Sequence, residues 1–130
     1  MASDNSQLQQ PESVHQVGPV VLKPGQERVT VRSRGTVLAD SRRTIAVHEG
    51  YHPVRYYFPP EDVRTELLST ASTASYCPYK GSAVHLTLEQ EGSDDSVAWC
   101  YPEPLTGMEP LAGLIAFYQE RTILQVEEEA

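Results

Sequence analysis

Thiols are scarce in this chain: Cys77 and Cys100 are the only two cysteines in 130 residues. Two cysteines cannot build the disulfide framework of a small secreted domain, and by count they exclude a structural four-cysteine zinc site. Basic residues are also few, with 10 Lys and Arg against 18 Asp and Glu and a formal net charge of −8. A nucleic-acid binder or a protein of anionic membrane surfaces needs clustered cations to neutralise phosphates, so neither partner is expected. No apolar run approaches the roughly 18 residues that a membrane span requires. The opening stretch MASDNSQLQQPESVHQVGPV lacks the basic and apolar regions of a secretory signal, so a cytoplasmic protein with free thiols is expected. No phosphate-binding G-x-x-x-x-G-K-[ST] is present, and no cofactor is expected.

Strand-forming sequence is abundant. Residues 1–26 are polar and rich in Gln, Ser, Pro and Gly, and read as a flexible N-terminal extension. Residues 27–130 read as a single β-rich domain. Val29 and Val31 alternate with Thr30 and Arg32, the period of a half-buried strand. RTIAVHEG, VRYYF, SAVHLTLEQ, VAWCYPEP, LIAFY and TILQV continue the pattern, with turn residues between them. PPEDVRTELLST predicts one short helix near 60–69, with Pro60 in its first turn, acids at its positive end, and Val63, Leu67 and Leu68 as its apolar stripe. STASTAS, which follows, reads as a polar loop. The expected fold is mainly β: a compact, single-domain antiparallel structure, barrel or sandwich, with that helix.

Four segments in order, HEGYHPVRYYFPPEDV, CPYKGSAVHLTL, AWCYPEPL and GLIAFY, resemble the domain-of-unknown-function family number 427, over about residues 27–126. The family is catalogued under a nucleotidyltransferase label. The resemblance implies a fold of the β-tent type, shared with several zinc-binding domains. Where such domains carry paired C-x-x-C ligands, this chain reads Cys77-Pro78-Tyr79-Lys80, so no metal is expected. Nucleotidyl transfer draws on carboxylates that converge on Mg²⁺. Here Asp94 and Asp95 follow Gly81-Ser82, but as neighbours they would face opposite ways on a strand, and EGSDDS reads as a hairpin tip.

The remaining constellation is tyrosine-rich, with seven Tyr against two Phe. A buried tyrosine brings a hydroxyl that needs a partner, and several beside Trp99 suit a ligand cleft. Its expected lining is Tyr56, Tyr79, Trp99, Tyr101, Cys77 and His52, with Cys77 also readable as a small buried hydrophobe. Lys80, held in a turn between Pro78 and Gly81, is the candidate catalytic group, paired with Glu49 or Asp62. Partly buried, such a lysine can act as acid, base or nucleophile; the alternative is a lysine–carboxylate pair that only orders the turn. The leading reading is a small-molecule-binding β domain, with acid/base chemistry such as isomerisation, cyclisation or addition. Nucleotidyl transfer and a non-catalytic interaction module are the alternatives. A strand edge left open would pair two copies into a homodimer.

Overall fold

A computed structural model describes residues 15–88 and 96–127. The described residues form eleven strands: β1 (His15–Val17), β2 (Val20–Pro24), β3 (Arg28–Ser33), β4 (Thr36–Ser41), β5 (Ile45–Glu49), β6 (Arg55–Phe58), β7 (Leu68–Cys77), β8 (Gly81–Leu88), β9 (Ala98–Cys100), β10 (Ile115–Phe117) and β11 (Ile123–Glu127). Eight of them make one sheet in the order β1-β2-β5-β6-β10-β9-β8-β7, and β11-β3-β4 make a second. Strand pairings in both sheets are antiparallel. The large sheet ends in β1 and β7, which are not paired to each other, so it is not a closed barrel.

Alternation along the central strands explains where the core sits. Successive side chains of a strand point to opposite faces. Phe58, Ala98, Ile115 and Phe117 therefore turn one way and bury against Val29, Val31, Leu38 and Ala39 of the small sheet. Their chain neighbours Tyr57, Trp99 and Ala116 turn the other way, and join Val20, Leu22, Val47, Met108 and Leu111. The large sheet thus has an apolar cluster on each face. The first face is closed by the small sheet, and the second carries the aromatic residues.

Three expectations are corrected. Part of the N-terminal extension belongs to the sheet: β1 and β2 occupy 15–24, and β2 pairs with β5 from Val20↔Glu49 to Pro24↔Ile45. Val20 and Leu22 supply the anchoring, since both are almost wholly buried. Residues 1–14 lie outside the described part. The expected helix at 60–69 is two single 3-10 turns, Pro60–Asp62 and Thr65–Leu67. Val63, between them, is drawn out of helical geometry by its bridge to Ala39 of β4. The polar STASTAS segment is strand β7: Ser69, Thr70, Ala74 and Ser75 pair with β8, with a shift of register between Thr70 and Ala74, in a ladder that runs from Leu68↔Leu88 to Cys77↔Gly81. Among the described residues no helix is long and apolar enough to cross a membrane.

Candidate functional site

The aromatic face of the large sheet holds a cavity of about 240 Å³. Its lining follows from strand period alone. Val47 and Glu49 are two apart on β5, as are Arg55 and Tyr57 on β6, and Trp99 and Tyr101 at β9. Ser75 of β7 and His85 of β8 share that face, while Lys80 enters from the turn between those two strands.

Lys80 is the sharpest group in it. The turn Pro78-Tyr79-Lys80 joins β7 to β8 and ends on Gly81, whose φ of +115° lies in the region that favours glycine. The Lys80 carbonyl accepts the Leu105 N–H at 2.9 Å, which ties the turn to the following loop. The side chain runs inward and is 7% exposed. Its Nζ donates to Glu49 Oε1 at 2.7 Å. A nearly buried ammonium needs such a partner, since burying it unpaired would cost far more than one hydrogen bond returns. Glu49 keeps more access to water, at 29% side-chain exposure.

Behind this pair stands a hydrogen-bonded aromatic group. Trp99 Nε1 donates to the Tyr57 hydroxyl at 2.9 Å, buried from solvent. The Tyr57 and Tyr101 rings stack with centroids 6.4 Å apart and 30° between planes. Burial pushes the pKa of both phenols well above the usual tyrosine value, so both remain protonated at neutral pH. Tyr118 leans on the Trp99 ring at 4.5 Å. The Arg55 guanidinium lies over the same indole, 5.5 Å from the ring centroid, while also bonding Glu120 through both of its terminal nitrogens. Ser75 Oγ and His85 Nε2 share a hydrogen bond of 2.9 Å across β7 and β8. The lining therefore offers two cations, Arg55 and Lys80, against one carboxylate, Glu49.

Of the residues expected from sequence, Lys80, Glu49, Trp99, Tyr101 and His52 meet in this cavity. Asp62 does not. It accepts hydrogen bonds from Ser41 at 2.7 Å and from Arg43 at 3.1 Å, and lines a separate hollow with Asp40 and Arg64. Tyr56 is next to Tyr57 on β6 and so faces away, against the small-sheet side. Tyr79 lies against the backbone of Gly18, with a ring position that a Cβ there would strike. Cys77 packs against the aromatic cluster from the correct face but is not part of the lining. Both cysteines are free. They pack into the clusters on opposite faces of the large sheet, which keeps them apart.

Tyr57, Arg55, Ser75, Tyr118 and His85 line the site although they are not among the residues expected there from sequence. The signal for Tyr57 and Arg55 was present in VRYYF. Once Trp99 and Tyr101 are placed on the cavity face, the register of β6 through β10, with Ala116 opposite both Tyr57 and Trp99, puts Tyr57 there and Tyr56 behind.

Carboxylates that could hold Mg²⁺ are not assembled here. Among the described residues no three His, Cys, Asp or Glu side chains cluster at metal-binding distance, and Glu49 is engaged by Lys80. Asp94 and Asp95 lie outside the described residues.

A family model described as a domain of unknown function (DUF427), under a short label that abbreviates nucleotide transfer, matches residues 21–129. No curated protein matches the chain.

Proposed function

The chain belongs to the DUF427 family, and from its site we propose that it binds a small organic molecule carrying a carbonyl or carboxylate group and performs proton transfer on it with Lys80 and Glu49. The observation that carries this reading is the 2.7 Å bond between Lys80 Nζ and Glu49 Oε1 inside a tyrosine-lined cavity. Lysine's ammonium has three donors and Glu49 takes one, which leaves others for an oxygen of the ligand. A carboxylate beside a bound carbonyl is placed to remove a proton from the neighbouring carbon. Lys80 is paired with Glu49 and Arg55 with Glu120, so the site's cations are balanced, and it is the spare N–H donors of Lys80 that favour an electron-rich oxygen on the occupant. The cavity, at about 240 Å³, is below the roughly 300–1,000 Å³ of common ligand sites, which suits a small metabolite better than a nucleoside triphosphate.

The test is a thermal-shift and calorimetric screen of small oxo acids and cyclic ketones, with nucleotides plus Mg²⁺ as the other arm. An oxo compound should raise the melting temperature of the native protein, and Lys80→Met should weaken its binding at least about tenfold, the worth of one charge-assisted hydrogen bond. Stabilisation by nucleotides alone, unaffected by Lys80→Met, would overturn the proposal and restore the family's label.

A further inference from the structure

We propose that Ser75 and His85 form a second polar anchor of the cavity, one that receives a hydroxyl, so that the occupant is a short hydroxy-carbonyl compound with its carbonyl at Lys80 and its hydroxyl at this pair. The inference rests on the small-molecule reading above and names its substrate class.

The pair belongs to the cavity by geometry. Ser75 Oγ and His85 Nε2 are 2.9 Å apart, bonded across the neighbouring strands β7 and β8. Both side chains line the same space as Lys80 and Glu49. The two polar groups stand on different walls of it. Glu49 is on β5 and His85 on β8, with β6, β10 and β9 between them in the sheet. Across those strands His85 is opposite Trp99, Trp99 opposite Ala116, and Ala116 opposite Tyr57, which makes a largely aromatic floor between the walls. The Lys80 ammonium lies at the Glu49 end, since the two are in contact at 2.7 Å. The imidazole is held from a second side as well: its ring centroid is 6.4 Å from that of Tyr118, which itself packs on Trp99. Among the described residues, neither Ser75 Oγ nor the His85 ring has a further hydrogen-bond partner, and Ser75 is exposed.

The two ends differ in what they can hold. The Lys80 ammonium carries donors only, and suits an oxygen that only accepts, as in a carbonyl or carboxylate. The Ser75–His85 pair keeps a donor and an acceptor whichever tautomer it adopts. If the serine hydroxyl donates to Nε2, the ring keeps an Nδ1–H to give and the serine oxygen keeps free lone pairs. If Nε2–H donates to the serine, the serine keeps its own proton to give and Nδ1 accepts. A hydroxyl is the matching group, because it gives one proton and accepts in return. A carbonyl or carboxylate oxygen accepts only, and would leave half of the pair unused. The occupant is thereby oriented, with its carbonyl beside Glu49, where the proton-transfer reading requires a base.

The experiment is an NMR titration of the native protein with cyclohexanone and with 3- and 4-hydroxycyclohexanone, which differ from it by one hydroxyl at two distances from the carbonyl. The better hydroxyketone should bind about tenfold more tightly than cyclohexanone, within the worth of the two hydrogen bonds its hydroxyl can make. Ser75→Ala and His85→Leu each remove one member of the pair, and each should bring that ratio down to about threefold. Equal binding of all three ketones by the native protein, weakened together in Lys80→Met, overturns this inference and leaves the proposed function standing. A ratio undiminished in either Ser75→Ala or His85→Leu also overturns it, since the hydroxyl then lies elsewhere. If none of the ketones binds, this inference falls, and the proposed function is decided by its oxo-acid arm. If His85→Leu does not fold, Ser75→Ala decides, because it removes one exposed oxygen from the edge strand β7.

Discussion

Thr44 and Lys80 are both buried polar residues, and they differ in what their polar atoms meet. Lys80 has Glu49 at 2.7 Å. The Thr44 hydroxyl has no hydrogen-bond partner, in a residue only 2% exposed. Its backbone is well used, since its carbonyl accepts the Gly25 N–H at 2.7 Å. The close approach of Gly25 is what seals the hydroxyl, and a Cβ at position 25 would collide with it. An unsatisfied buried hydroxyl costs about 1–3 kcal/mol. Thr44→Val keeps the branched shape and removes the orphaned group. It should therefore stabilise the protein by about 1 kcal/mol in urea denaturation, at the low end of that range, without altering ligand binding across the sheet. A lower midpoint in the variant would show that the hydroxyl is satisfied in solution and that its burial carries no penalty.

The turn between β7 and β8 sets Lys80 at its depth, and Gly81 sets the turn. A Cβ at Gly81 would meet Leu105 N at 3.4 Å and Glu103 O at 3.5 Å, which is ordinary contact. The penalty of Gly81→Ala is therefore conformational, from φ +115°, and is expected at about 1–3 kcal/mol. Because the strained residue adjoins Lys80, the variant should lose both stability and ligand affinity. Gly35→Ala is the control: its φ is +82° and nothing lies within 4 Å of its Cβ, so it should lose stability alone. Equal affinities in the two variants would show that the turn does not position Lys80. Elements of this kind were legible in the sequence where turn chemistry and alternation agree, as in CPYKG followed by SAVHLTL. The Lys80–Glu49 pairing was legible as one of two choices, because pairing needs only that two segments meet. The exclusion of Asp62 was not legible. It depends on Arg43 and Ser41 capturing its carboxylate, an arrangement of β4, its following loop and a 3-10 turn that no local pattern specifies. STASTAS was misread for a related reason. Ser and Thr serve equally in loops and in pairing strands, and the partner β8 decides between them. Likewise Tyr56 and Tyr57 are equivalent by composition, and only the register of β6 separates the one that reaches the cavity from the one that packs behind it.

At the scale of the whole molecule, stability is bounded on both sides of neutral pH by different groups. On the acid side, hydrogen bonding by Arg28 holds the Asp40 carboxyl below its ordinary range, and hydrogen bonding by Arg43, helped by Ser41, does the same for Asp62. A depressed folded-state value means that stability from these pairs is complete above the unfolded aspartate value of about 3.9 and is lost as pH falls through the lower, folded value. Asp40 is 44% exposed and its pair is screened by solvent, whereas Asp62 is 22% exposed, so Asp62 should dominate. Asp62→Asn should thus be less stable than the native protein at pH 7, with the difference shrinking as pH drops below about 4, measured by urea denaturation across pH. On the alkaline side the sign reverses. Burial raises Tyr57 and Tyr101, so their contribution is complete below the unfolded phenol value of about 10 and is lost as pH rises through the folded values. Tyrosine absorbance should accordingly show a late phase, in which the buried pair Tyr57 and Tyr101 ionises only as the fold opens. If Tyr57→Phe and Tyr101→Phe each left that late phase unchanged in height and position, the phenols behind the cavity would not be the groups that resist ionisation.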